Sequence, residues 1–304
     1  MRGTVFAGEA SLYSVLPRAL APAVAGLLLL GGGFAAAESG TPAQRIASLA
    51  PSATEILYAI GAADLVVGVS RQCDFPIGAK LKPKVGDFNR PDLGALAQAA
   101  PDVVLFTEYI QPADLEALEE AGLRPLVLPA RRLGNVVEAI LALGEIAGRQ
   151  VAAHELAEGV RAEIEEVRAR VGELSTEERP AVYIEVDGPH RLYAVGPGSF
   201  MDEVIRTAGG RNAFAAVDAA YFEVSSADVI LANPAVVLID HPFQYSVGVS
   251  RRAGWDSIRA VQEGRVYDGE DFDIILLNRP GPRIAQSLRE VSRLLHPEKL
   301  GAAR

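Results

Sequence analysis

Residues 150–174, QVAAHELAEGVRAEIEEVRARVGEL, decide how the rest of the chain is read. The stretch holds no proline and only two glycines, Gly159 and Gly172. Leu156, Val160, Ile164, Val167 and Val171 recur at steps of four, four, three and four, which sets them on one face of a helix. The other faces carry Glu158, Arg161, Glu165, Glu166, Arg168 and Arg170, with Glu166 four residues ahead of Arg170 in the favourable order. About 25 residues rising 1.5 Å each make a rod of roughly 37 Å, enough to cross a domain. Taken alone, such a pattern describes a surface helix with a solvated face. Its position changes the reading, because similar strand-and-helix material lies on both sides of it.

With 304 residues and 49% hydrophobic content, the chain can bury a sizeable core and is expected to form two domains. A formal charge of −10 argues against a nucleic-acid partner. Four histidines and one cysteine leave little for a metal cage and nothing for an internal disulfide, so Cys73 reads as a free, buried thiol. Residues 19–34, ALAPAVAGLLLLGGGF, follow Arg18 and precede Ala35-Ala36-Ala37. This run is too short and too rich in Gly and Pro to span a membrane comfortably. A basic flank, an apolar middle and a small-residue end make residues 1–37 a secretory signal, cleaved after Ala37. No cysteine stands there to take a lipid, so a soluble exported protein is expected.

From residue 43 to 148, short apolar runs alternate with helical patterns, as a parallel sheet with helices on both faces requires. Strands are predicted at residues 45–50, 65–69, 101–106 and 126–128. Helices are predicted from Ser52, near residues 92–99, at 112–121 and at 135–147. Ser52 with Glu55 reads as a capping box, and residues 70–91 as a loop. After the rod (149–175), a second lobe over 179–297 begins again. It has strands at 181–186, 234–239 and 265–267, and helices led by Ser199, at 224–232, and at 282–295 with Pro282 at N1. Ser199 with Asp202 repeats the spacing of Ser52 with Glu55, and residues 234–239 echo residues 101–106. In open α/β sheets ligands sit at the carboxyl ends of strands, facing helix N-termini. Ser52 and Ser199, one per lobe, are thus either plain caps or caps that also meet a ligand.

Five segments carry a resemblance: RIASLAPSATEILYAIGAADLVVGVSRQCDFP, KPKVGDFNRPDL, APDVVLF, GPGSFMDEVIRTAGGRN and NRPGPRI. They resemble the helical-backbone class of ABC-importer substrate-binding proteins (class III periplasmic binding proteins), and within it the cobalamin-binding branch. The likeness runs from about Arg45 to Pro297. It implies an α/β fold of two Rossmann-like lobes joined by one long rigid helix, a monomer in the periplasm, and no catalysis. It also implies capture of a small-molecule metal chelate, here cobalamin or a related corrinoid, in a cleft between lobes. The partners it implies are an ABC permease and its ATPase.

Carried over by position, the resemblance places Gln72 where a tyrosine usually precedes the Asp74-Phe75-Pro76 turn, and Phe88 where a stacking tryptophan stands. Thr107 stands for another tryptophan, with Tyr109 close by; Tyr221 stands for a third, Tyr193 precedes Val195-Gly196, and Arg279 matches the arginine before Pro-Gly-Pro-Arg. A corrin is a broad ring edged with amides, which calls for flat aromatic faces and hydrogen-bonding groups in place of a charged cage. For each of these aromatics, ordinary core packing remains the alternative. Relatives also dock through one glutamate per lobe; those positions here are Gly94 and Ala227, with Asp92 and Asp228 nearby as candidate substitutes for permease docking.

Haem and ferric siderophores are the competing ligands. Haem needs an axial Tyr or His, for which Tyr109, Tyr193, Tyr221, His190 and His241 are the candidates. Zinc or manganese uptake would require grouped His and carboxylates, which the sequence does not display. A secreted hydrolase built on Ser199, Asp240 and His241 is disfavoured, because adjacent Asp240 and His241 cannot readily orient each other and the serine lacks the nucleophile-elbow pattern. No cofactor or resident metal is expected.

Overall fold

The computed structural model describes residues 42–186, 191–240 and 248–300; the proposed signal segment, His190 and His241 lie outside them. In chain order the elements are β1 (Ile46–Ser48), α1 (Pro51–Ala59), β2 (Val66–Val69), α2 (Ile77–Lys80), β3 (Gly86–Asp87), β4 (Arg90–Pro91), α3 (Leu93–Ala99) and β5 (Val103–Thr107). Then come α4 (Pro112–Glu120), β6 (Pro125–Leu128), α5 (Leu133–Ala147), α6 (Gln150–Gly172), β7 (Ala181–Val186), β8 (Leu192–Val195) and α7 (Phe200–Thr207). The chain continues through β9 (Arg211–Asn212), β10 (Tyr221–Val224), α8 (Ser226–Ala232), β11 (Val236–Asp240), α9 (Arg259–Gln262) and β12 (Val266–Tyr267). It finishes with α10 (Ile284–Leu295) and α11 (Pro297–Leu300).

The described chain divides into two compact units. One holds the chain up to Arg179 together with Gly198–Gly210 and everything from Ile275 on; the other holds Pro180–Pro197 and Arg211–Ile274. This partition differs from the single-segment boundaries expected at 43–148 and 179–297. α7 and α10 belong with the first unit, and so does the whole of α6.

In the first unit the sheet is entirely parallel, in the order β2-β1-β5-β6. β1, β2 and β5 are short apolar runs largely buried on both faces, as a helix-covered parallel sheet requires, while the edge strand β6 is half-buried. Ala47, Leu49, Val104, Phe106, Leu96 and Leu118 form the heart of one core cluster. The long helix buries Ala153, Ala157, Val160, Ile164, Val167 and Val171, against α5 and α10. Leu156, expected on that face, is only half-buried, because the close contact with α5 runs over alanines one position on. A Cβ built on Gly144 of α5 would stand 2.3 Å from the Cβ of Ala153, so the two helices approach where neither has bulk. Gly148, at φ +63°, turns the chain from one helix into the next.

The second unit carries a mixed sheet, in the order β10-β8-β7-β11-β12, with β9 pairing in parallel with the first two residues of β7. β7, β11 and β12 are parallel; β8 runs antiparallel to β7, and β10, antiparallel to β8, runs in the same direction as β7. The sequence reading missed β8 and β10, and it assigned Val224 to a helix. Val224 instead ends β10, and α8 starts after Ser225, whose hydroxyl accepts from Asp228 N. The core gathers around Tyr183, which meets Phe214 and Trp255 edge to face at 5.8 and 6.4 Å.

Candidate binding site

The first unit concentrates its polar chemistry at the N-terminus of α1. The capping box expected there is absent. Ala50 is the N-cap, Pro51 fills the first turn, and no side chain caps the helix. Proline has no N–H to satisfy, so one of the helix's unpaired N-terminal donors is already removed, and Glu55, at the fifth helical position, lies beyond the capping turn. Glu55 is therefore free to point elsewhere, and it meets two arginines from the far end of the sequence.

Its carboxylate is 1% exposed and accepts from Arg279 Nη1 at 3.0 Å, from Arg283 Nη2 at 2.6 Å and from Arg283 Nε at 2.8 Å. Arg279 Nη1 also donates to Asp74 Oδ1 at 2.6 Å. The Arg283 guanidinium lies 3.9 Å from the centroid of the Phe75 ring. Between the arginines, Gly281 passes so close to α1 that a Cβ there would sit 3.5 Å from Ser52 Cα. The loop that carries them delays the last long helix: α10 starts at Ile284 with Arg283 as its N-cap, so Pro282 is not at N1.

A buried polar network fastens the loop that brings Asp74 and Phe75. Cys73 Sγ lies 3.1 Å from Thr54 Oγ1 of α1 and 3.1 Å from Ser70 Oγ, and Thr54 also donates to Ser48 Oγ at 2.9 Å. Cys73 is thus a free, buried thiol that ties this loop to α1 and β1. Gln72 reaches the other way. Its Oε1 accepts from Phe88 N at 3.1 Å and its Nε2 donates to Asp87 Oδ1 at 3.3 Å. The expected loop 70–91 is therefore a built structure, containing α2 and the β3–β4 hairpin with half-buried Phe88 in its turn.

Ser52, Gln72, Phe88 and Arg279 are thus linked through neighbouring loops of one unit. Thr107 ends β5 and is buried, and Tyr109 follows it half-buried. Ser199 does cap α7, accepting from Asp202 N at 3.1 Å, and is 3% exposed. Asp92 caps α3, its Oδ1 accepting from Ala95 N at 3.0 Å. The sequence reading overlooked Glu55 as an ion-pair partner, and it also passed over Asp74, Phe75 and Arg283. The second arginine of Arg279-Pro-Gly-Pro-Arg283 was the visible sign of a paired buried acid.

In the second unit, Tyr193 of β8 faces Glu223 of β10, and Tyr221 pairs with Val195. Their register puts both tyrosines on one face of the sheet as diagonal neighbours, each half-buried. Below them, Arg252 holds Glu185 with both terminal nitrogens and lies 4.6 Å over the Trp255 ring. Burial, and then the charge of Glu185, push the Tyr183 hydroxyl well above its ordinary pKa, against the opposing pull of Arg252. Asp228 sits in a reciprocal capping box with Ser225, whose hydrogen bonds hold its carboxyl below the ordinary value. Among the described residues, no group of three His, Cys, Asp or Glu could hold a metal ion, and no helix is long and apolar enough to cross a membrane.

The periplasmic binding protein family matches residues 46–271. An uncharacterised ABC transporter substrate-binding lipoprotein of Bacillus subtilis is 30% identical over 259 residues, covering 84% of this chain and 81% of its own length. A vitamin B12-binding protein of Vibrio vulnificus is 29% identical over 268 residues, 87% of this chain and 93% of its own. Among solved structures, a periplasmic haem-binding protein from a Roseiflexus species superimposes with a TM-score of 0.76 at 25% identity, covering 86% of this chain and all of that one.

Proposed function

This chain belongs to the periplasmic binding protein family, and from that premise we propose that it captures cobalamin or a related corrinoid in the periplasm. In this reading it delivers the ligand, as a monomer, to the permease of an ABC importer driven by a separate ATPase. One observation carries the ligand assignment. The Arg279 side chain is nine-tenths buried, and Nη1 alone takes both of its carboxylate partners. Its Nε and Nη2 donate to no described residue, which leaves a fixed, forked donor for a ligand acceptor. The amide carbonyls around a corrin are acceptors of that kind. Phe88, Tyr193 and Tyr221 would supply flat faces, with Ser52, Gln72, Thr107, Tyr109 and Ser199 as further contacts. The vitamin B12-binding relative supports the same assignment.

Haem is the second reading, favoured by the Roseiflexus neighbour and by phenols such as Tyr109, Tyr193 and Tyr221 as axial ligands. Offering the protein cyanocobalamin, haemin and a ferric siderophore in parallel, with native mass spectrometry and visible spectra, tests the assignment. One corrinoid per chain is expected. Tight haemin binding with no corrinoid bound would transfer the assignment to haem.

A further inference from the structure

We infer that Asp74, together with Glu55, sets the charge of the ligand this site accepts, favouring an uncharged, amide-edged ligand over one with free carboxylates. The inference rests on the proposed role of Arg279 as a ligand-facing donor. Two guanidinium groups meet two carboxylates here, so the cluster is electrically closed before any ligand arrives. Arg283 is committed to Glu55 through two nitrogens and to the Phe75 ring through its face. Among the described residues, Arg279 Nε and Nη2 have no acceptor.

Glu55 alone would anchor Arg279, since it is buried and already bonded to Nη1 at 3.0 Å. Asp74 adds a second acid to the same nitrogen at 2.6 Å, with its side chain 39% exposed. That acid is a second anchor, and it also changes what a ligand meets. A neutral carbonyl approaching Nη2 gains a charge-assisted hydrogen bond. A carboxylate approaching the same nitrogen gains it too, but arrives within a few ångströms of Asp74 and is repelled by it. Discrimination of this kind works by penalising the wrong partner as much as by attracting the right one.

A matched pair of ligands isolates the effect: cyanocobalamin, and the same corrinoid with one side-chain amide hydrolysed to a carboxylate. The full-length exported protein should prefer the amide form by on the order of tenfold at low salt. Asp74→Asn keeps the acceptor and removes the charge, so it should compress that preference several-fold, chiefly by strengthening binding of the carboxylate form. Asp74→Glu should retain it. A preference that Asp74→Asn leaves unchanged, or a loss of affinity equal for both ligands, overturns the inference. If the protein binds haemin and no corrinoid, the ligand assignment fails separately. Haemin against its dimethyl ester then poses the same question of charge, with the same expected effect of Asp74→Asn and the same overturning result.

Discussion

Glu55 shows how far one residue departs from its sequence pattern. Three residues after Ser52 it fits a capping box, yet it serves as the buried counter-ion of Arg279 and Arg283, more than two hundred positions away. Removing one partner of a buried pair leaves the other charge unpaired, which costs about 3–5 kcal/mol. Glu55→Gln should therefore lower the unfolding free energy in urea by about that amount, and Ser52→Ala by far less, since Ser52 makes no cap. Tyr183 supports a pH prediction. Burial raises its folded-state pKa above the ordinary 10, so the stability it supports is whole below about pH 10 and is lost as pH rises toward the folded value. Tyr183→Phe should flatten the alkaline limb of a stability-versus-pH curve. Near neutrality it should cost about 1.5–3 kcal/mol, because the buried hydroxyl hydrogen-bonds the Glu185 carboxylate as well as lying 3.5 Å from the Tyr193 carbonyl.

Among the elements, the two glycines near the α5–α6 contact should respond in opposite directions. Gly159, within exposed turns of α6, has nothing within 4 Å of its missing Cβ, so Gly159→Ala should stabilise by about 0.5–1 kcal/mol through backbone entropy. Gly144→Ala brings the same propensity gain but drives a methyl to 2.3 Å from Ala153 Cβ. Overpacking typically costs about 1–3 kcal/mol, so the net effect should be destabilising in thermal melts. The period of α6 and the buried runs of β1, β5, β7 and β11 were legible in the sequence because apolar pattern and length both point one way. β8 and β10 were not legible: each is four residues long, and their pairing joins Leu192–Val195 to Tyr221–Val224 across an intervening helix. The aromatics they carry, Tyr193 and Tyr221, were recognisable by position, whereas their shared face follows only from the register. The Arg279 cluster was half legible. Arg279 was named from the sequence, but Arg283 was not, and the acids that fix both come from a separate loop and helix.

The whole molecule is acidic and is read as exported to meet a membrane-embedded partner. N-terminal sequencing of the exported protein should begin near Glu38, and an intact residue 1–37 segment would overturn the expected cleavage. The resemblance implies docking through one carboxylate per lobe, at positions that are here Gly94 and Ala227. Asp92 and Asp228 are exposed and stand in different units, so each unit can still present one acid. Each is also employed locally: Asp92 uses Oδ1 to cap α3, and Asp228 uses Oδ2 to accept from Ser225 N and Oγ. One oxygen of each is left for a basic partner. The Ser225 hydrogen bonds hold the Asp228 carboxyl below its ordinary pKa, so it keeps its charge into mildly acidic solution. Asparagine caps a helix about as well as aspartate at Asp92, and at Asp228 an amide oxygen can still accept from Ser225 N, so Asp92→Asn with Asp228→Asn separates charge from capping. We expect the double variant to melt near the parent temperature, to bind ligand unchanged, and to stimulate permease-coupled ATP hydrolysis less at low salt. That deficit should shrink as salt rises and screens rim charges. A stimulation curve identical to the parent's at low salt would show that other surface groups make the docking contact.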